Sequence, residues 1–203
     1  FAPVIDLIRT ASEDPNVLAM KMTLYRVGSR SPIVNALMEA GENGKHVAVL
    51  VELKARFDEE NNIVWARALE RSGVHVVYGV LGLKTHCKLA LIVRRERDGI
   101  RRYVHLGTGN YNATTARIYT DLGLMTCRED IASDVSDVFN FLTGFSNPKT
   151  YRKLGVAPVS LRETIRDMIR NVIKYGKDGH LLFKISALLD PAMIEDLYRA
   201  SQA

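Results

Sequence analysis

The first eighty residues switch between two apolar periods. Val17 to Arg26 (VLAMKMTLYR), Val47 to Leu53 (VAVLVEL) and Val74 to Tyr78 (VHVVY) are short apolar runs, the second of them rich in β-branched residues. Such runs predict buried strands. Between them the apolar positions fall at helical spacing. Pro3 to Ala11 offers Val4, Ile5, Leu7 and Ile8 as one face, with Pro15 beyond its end. Ser31-Pro32 is a helix start, because serine accepts from first-turn amides and proline fits the first helical position. Ile33, Val34, Leu37 and Met38 continue that helix, and Gly44 can end it. Asp58 opens the next helix, through Trp65, Ala66 and Leu69 to Gly73. Strand, helix, strand, helix, strand at this spacing implies parallel strands joined by right-handed crossovers.

The pattern then changes. Lys84 to Val93 and Ile100 to Leu106 read as two strands around Asp98-Gly99, a hairpin signal. The predicted fold is therefore α/β, with a mixed parallel/antiparallel sheet flanked by helices. Asp130 to Leu142 predicts a helix with Ile131, Val135, Val138, Phe139 and Leu142 on one side. A loop through Pro148 to Pro158 follows, then an amphipathic helix over Leu161 to Tyr175. LLFKIS reads as a strand and PAMIEDLYRA as a last helix. The boundary is expected near residues 153–160, giving a first domain over 1–155 and the start of a second over 156–203. That second piece, about forty residues, is at the low edge of what folds alone.

Composition narrows the class. The chain has 203 residues, 28 Lys+Arg against 23 Asp+Glu, a net charge of +5, and 47% apolar residues. Disorder is excluded by the Leu, Ile and Val content. Cys87 and Cys127 are too few for a disulfide scaffold. No apolar stretch approaches the ~18 residues of a spanning helix. The N-terminal FAPVIDLIRTASEDP has no basic n-region of a signal peptide. The missing initiator Met, and an end inside a helical pattern, suggest an excised piece of a longer protein. A charge of +5 permits an anionic partner without requiring one.

The most informative segment runs Gly82-Leu83-Lys84-Thr85-His86-Cys87-Lys88-Leu89-Ala90-Leu91. On a strand, alternate residues share a face. Lys84, His86 and Lys88 would point one way, and Leu83, Cys87, Leu89 and Leu91 the other. Two lysines beside a histidine suit a bound anion, and they favour the neutral, nucleophilic imidazole. A solvated edge strand that happens to carry His86 fits the spacing equally well. His105-Leu106-Gly107-Thr108-Gly109-Asn110 follows on the hairpin partner. Its glycines allow backbone N–H groups close to a phosphate, though a plain turn is the commoner meaning of GTGN. Arg26 and Arg56 fall at or just past the ends of parallel strands, where ligands of open α/β sheets bind. Guanidinium forks suit phosphate oxygens, although each arginine taken singly is more often a surface residue.

Weaker candidates remain. Arg94, Arg95, Arg97, Arg101 and Arg102 crowd the hairpin tip, and such runs are usually solvated. Tyr111 and Tyr119 could stack on a base, with core packing the default. Asp58, Glu59, Glu60 and Asp121 could reach a metal, but Mg²⁺ bound through substrate phosphates leaves no spacing signature. His46 and His75 head strands and read as structural. No CxxC, P-loop or GxGxxG pattern is present.

His86-Cys87-Lys88 followed by Gly107-Thr108-Gly109-Asn110 resembles the H-x-K … G-S-x-N signature of the phospholipase D superfamily. The longer strings TLYR, SPIV, VELKARFDEENNI, GVHVVYG, GLKTHCKLALI, HLGTGNYN, TAR and YTDLGL are more specific. Together they resemble the histidine-dependent, long-chain class of polyphosphate kinases over nearly the whole chain. The resemblance implies a phospholipase D-like fold and a phosphohistidine at His86, reached from the ATP terminal phosphate and passed to polyphosphate. It matches Arg26 and Arg56 to a phosphate and magnesium site, the metal contact running through phosphate. Tyr119 matches an ATP-binding tyrosine, and Lys88, Thr108 and Asn110 the rest of the superfamily motif, with Lys84 beside them. It implies ATP/ADP and polyphosphate as partners, Mg²⁺ as cofactor, no nucleic acid and a homo-oligomer at full length. A cytoplasmic location is expected, with peripheral membrane attachment as the open alternative.

Two departures bear on this. The phospholipase signature carries an aspartate seven residues after its histidine, where this chain has Val93, which argues against a phosphodiesterase. Superfamily enzymes also use two such halves. His180 is followed by Leu181 and Leu182, so no second H-x-K occurs. The chain is therefore expected to hold the first catalytic domain and to be inactive by itself. A phospholipase D-like phosphodiesterase or nuclease, and a non-catalytic polyanion-binding module, are the rival readings.

Overall fold

Parallel strands are buried on both faces, and here that burial fixes the frame of the molecule. A computed structural model describes residues 1–55, 59–80 and 82–203. The chain divides into two units, Phe1–Pro148 and Lys149–Ala203.

In the first unit, α1 (Ala2–Glu13) leads to β1 (Val17–Leu24), α2 (Pro32–Glu42), β2 (His46–Val51), α3 (Glu59–Arg71) and β3 (His75–Val77). β4 (Lys88–Glu96), β5 (Gly99–Gly107), β6 (Gly123–Thr126) and α4 (Glu129–Leu142) follow. Among the described residues the sheet has six strands in the order β3-β2-β1-β4-β5-β6. β1, β2 and β3 pair in parallel, and β1 pairs antiparallel with β4. β4, β5 and β6 continue antiparallel. This is the mixed sheet that the sequence pattern predicts.

One face of the sheet carries Met20, Met22, Leu24, Val49, Ala90 and Ile92 against Ile8 of α1, Ile33 and Leu37 of α2 and Leu69 of α3. The alternate positions face α4, as the Lys21 Nζ to Asn140 Oδ1 contact at 3.4 Å marks. Leu89 and Leu91 are buried on that side, where Val135, Val138 and Phe139 line α4. Ser31 caps α2 by accepting from the Val34 N–H, with Pro32 in the first turn, as the sequence predicts.

Three local expectations are corrected. The strand expected from Lys84 begins only at Lys88, so Lys84 to Cys87 are irregular and strand alternation does not orient them. The hairpin turn is Arg97-Asp98, and Gly99 (φ +132°) already pairs with Glu96. The short β6 went unforeseen. The helix start expected at Asp58 lies outside the described residues, and α3 is described from Glu59.

In the second unit, α5 (Leu161–Ile173) and α6 (Pro191–Gln202) pair. Arg166 Nε donates to Asp196 Oδ2 at 2.6 Å, and Arg162 Nε to Asp190 Oδ2 at 2.5 Å. Asp190 also caps α6, accepting from the Ala192 and Met193 amides. The segment LLFKIS (181–186) is not a strand. A strand needs a ladder partner, and the second unit offers none among its described residues.

Candidate active site

β1 ends at Leu24, and the next two residues carry the first part of the site. The Tyr25 carbonyl accepts from Asn62 Nδ2 at 2.7 Å, and the same amide donates to the Glu52 carbonyl at 2.9 Å. One buried side chain on α3 thus ties together the ends of β1 and β2. Trp65 Nε1, one turn further on, donates to the Gly28 carbonyl at 2.7 Å. Gly28 has φ +74°, a conformation that favours glycine.

The His86 segment is held from two sides. The Thr23 hydroxyl donates to the Cys87 carbonyl at 2.8 Å and accepts from the Leu89 N–H at 3.0 Å. Buried Glu52 accepts from the Thr85 N–H at 2.9 Å and from the Lys54 N–H at 3.0 Å. Between these anchors His86 is exposed and rests on Tyr25, ring centroids 4.9 Å apart and planes at 81°. Arg26, Lys84 and Lys88 surround the same tyrosine ring, 5.3–5.4 Å from its centroid. Lys88 Nζ donates to the His86 carbonyl at 2.5 Å.

The electrostatics follow from that crowding. His86 has its proton affinity lowered, first by partial burial, then by Lys88, Lys84 and Arg26. Lys88 is 4% exposed, and burial lowers its pKa to about 8. Arg26 Nε is buried without a hydrogen-bond partner among the described residues, and so is Asn110 Oδ1. Buried polar atoms are normally paired, so these two mark room for a ligand.

The glycine-rich turn builds a neighbouring feature. Asn110, Tyr119 and Asp121 line an open cleft of about 630 Å³ with His105, Gly107, Gly109 and Gly123. Thr108 Oγ1 donates to Asp121 Oδ1 at 3.0 Å and accepts from the Leu122 N–H at 3.0 Å. A Cβ at Gly109 would overlap the Asp121 carboxylate. Tyr119 is 66% exposed. Tyr111 is buried, its hydroxyl 2.9 Å from His105 Nδ1, so it packs rather than stacks on a base. Asp121 links the two features, because its charge also favours protonated Lys88.

The structure thus brings His86, Lys84, Lys88 and Arg26 around one ring, and Asn110 and Tyr119 to the adjoining cleft. Arg56 lies outside the described residues. Three of the five hairpin arginines are engaged elsewhere: Arg94 with Asp14 and Glu96, Arg101 with Asp98, and Arg102 with Glu129. Sequence reasoning missed Tyr25, Glu52, Thr23 and Asn62. The only signal for Glu52 is an acid inside the apolar run VAVLVEL.

The described residues include no cluster of three or more His, Cys, Asp or Glu side chains able to hold a metal. Arg26 has no electron pair to offer a cation. The described donors around His86 fit phosphate oxygens. No helix among the described residues is long and apolar enough to cross a membrane.

The first unit has a phospholipase D-like fold. It superposes on the phospholipase D family member Nuc from Salmonella typhimurium with a TM-score of 0.53 at 13% identity, over 70% of this chain and 88% of that one. The chain belongs to the polyphosphate kinase family. The family model for polyphosphate kinase C-terminal domain 1 matches residues 1–148, and that for C-terminal domain 2 matches 154–203. The polyphosphate kinase of Prosthecochloris aestuarii is 60% identical over 206 residues, covering 100% of this chain and 29% of that protein. The polyphosphate kinase of Synechocystis is 58% identical, covering 100% and 28%. The crystal structure of polyphosphate kinase from Porphyromonas gingivalis matches with a TM-score of 0.84 at 42% identity, over 98% of this chain and 34% of that one. The chain therefore spans under a third of the length of these relatives.

Proposed function

We propose that the protein containing this chain is an ATP:polyphosphate phosphotransferase that works through a phosphohistidine on His86. One observation carries the reading: an exposed imidazole of lowered proton affinity sits among Arg26, Lys84 and Lys88, and a buried guanidinium nitrogen there lacks a partner among the described residues. A neutral imidazole has the lone pair that a nucleophile needs. It attacks the γ-phosphorus, the bond to the β,γ-bridging oxygen breaks, and ADP leaves. The other ring nitrogen gives its proton to solvent. A terminal polyphosphate oxygen then attacks the same phosphorus, the N–P bond breaks, and the ring takes back a proton from solvent to restore the neutral imidazole. The reverse sequence makes ATP.

Positioning and charge stabilisation carry such transfers. Arg26, Lys84 and Lys88 supply cationic donors where charge accumulates on phosphate oxygens, joined by Arg56 on the family resemblance. Asn110 and Tyr119, with Thr108 holding the turn, are assigned to the nucleotide and phosphate side. An ion bound by the triphosphate would arrive as part of the substrate. The two units are read as the first catalytic domain and the opening of the second. The chain by itself is expected to sustain no turnover, because it contains one H-x-K pair.

The test is intact-mass and radiolabel analysis of the full-length protein after incubation with ATP and Mg²⁺. An acid-labile adduct that His86→Ala abolishes, together with polymer synthesis, is the expected result. Near-normal turnover by His86→Ala would end the phosphohistidine reading. Cleavage of a phosphodiester without an adduct would favour the phosphodiesterase.

A further inference from the structure

We propose that Tyr25 is a positioning residue of this site: its ring gathers Arg26, Lys84 and Lys88 and sets the orientation of the His86 imidazole. The inference rests on the role assigned to His86 above. Three cations within 5.3–5.4 Å of one ring centroid repel one another, and on an open surface long basic side chains would spread into water. Something must hold them together. A carboxylate could do so, but it would neutralise the charges and compete with phosphate for them. The negative face of an aromatic ring attracts cations and leaves their charge intact. An aromatic hub therefore suits a site that must stay cationic until an anion enters.

The ring is also a fixed platform. Tyr25 is 8% exposed, and its carbonyl is held by Asn62. His86 meets it edge-to-face, at 81° and 4.9 Å, the arrangement that aromatic quadrupoles favour. Among the described residues that contact is the ring partner of an imidazole that is otherwise exposed. Rotation of His86 would cost it, so the ring restricts the direction in which the lone pair points. A role in packing only would make leucine and phenylalanine equivalent at this position. A role as a hub would not, because phenylalanine keeps the quadrupole and leucine does not.

The experiment compares Tyr25→Phe and Tyr25→Leu in the full-length protein, with far-UV circular dichroism to verify folding. Single-turnover phosphohistidine formation is measured at saturating ATP. The phenylalanine variant should stay within about threefold of wild type, and the leucine variant should slow by about tenfold or more, without rescue by higher ATP. If the leucine variant does not fold, Tyr25→Met takes its place. A second arm uses NMR of the wild-type 203-residue chain. The ring current of Tyr25 should shift the Lys84 and Lys88 ε-methylene signals upfield, and the cross-peak between the ring at position 25 and His86 should persist in Tyr25→Phe. Equal rates for leucine and phenylalanine, or absence of the upfield shifts in wild type, would overturn the inference. If wild type forms no phosphohistidine, the function of His86 falls, and the NMR arm still decides whether the ring gathers the cations.

Discussion

Glu52→Met tests how the histidine segment is held. Glu52 is 5% exposed, and its two carboxylate oxygens each accept a backbone N–H, from Thr85 at 2.9 Å and from Lys54 at 3.0 Å. Methionine keeps the length but offers neither N–H an acceptor. Thr85 is buried, so its amide is then left without that partner. A lost hydrogen bond to a charged group costs ~1.5–3 kcal/mol, and we take about 2 kcal/mol. That energy corresponds to about thirtyfold in the local opening equilibrium, given a factor of ten per ~1.4 kcal/mol. The assay is amide hydrogen exchange at Thr85, with a thermal melt of the same samples. Exchange should speed by about thirtyfold, and the melting temperature should fall by about 4–8 °C. Phosphohistidine formation in the full-length protein should slow as well, because Thr85 immediately precedes His86. Unchanged protection at Thr85 would refute the claim that Glu52 holds this segment, whatever happened to the melt.

Three further outcomes are expected. Arg26→Met should leave stability unchanged or raise it by up to ~1 kcal/mol in urea titration, because a buried unpartnered nitrogen is removed, while pyrophosphate affinity falls about tenfold. A clear loss of stability would show that Arg26 serves the fold. Burial holds Lys88 near a pKa of about 8, below the ordinary lysine value of 10.5, so the folded chain binds fewer protons between those values. Stability should rise with pH from about 8 towards 10 and lose that rise in Lys88→Met. Above pH 10 buried Tyr111, whose proton is held more tightly when folded, works in the opposite direction. A flat wild-type profile between pH 8 and 10 would contradict the Lys88 environment. Gly109→Ala should displace Asp121 and cost ~1–3 kcal/mol in the same titration, and an unchanged Thr108–Asp121 contact in its crystal structure would refute the overlap.

The legible parts of the fold were those with long, two-sided apolar patterns. β1, β2 and α2 announce themselves through apolar runs and the Ser31-Pro32 start, because burial and capping act on residues close in sequence. β6 did not, since Gly123–Thr126 is four residues long and becomes a strand only by pairing with β5. LLFKIS fails in the opposite sense: the composition suits a strand, but a ladder needs a partner. At the site, strand alternation was the wrong reason for grouping Lys84, His86 and Lys88. Lys84 to Cys87 are irregular backbone, and it is the ring of Tyr25, sixty residues earlier, that the three side chains share. Glu52, Thr23 and Asn62 were invisible for a related reason. Each acts on a backbone group far along the chain, and no local spacing encodes such a contact.

The basic residues of the first unit fall into two kinds, and the difference explains how a modest net charge can serve a polyanion. Arg94, Arg101 and Arg102 each meet a carboxylate, so their fields largely cancel within a few ångströms. Exposed pairs of that kind contribute little to stability. Arg26, Lys84 and Lys88 meet an aromatic ring instead. Their charge is gathered but not cancelled, and the burial of Lys88 makes that charge costly to keep. The fold therefore carries stored repulsion at one place, which an entering phosphate chain would relieve. Residues that destabilise the free protein in this way are the ones whose removal should cost function before it costs the fold. Glu52 and Asn62 stand on the other side of that division. They oppose the repulsion by tying the ends of β1 and β2 and the Thr85 amide together, so their loss should affect the fold and the site at once.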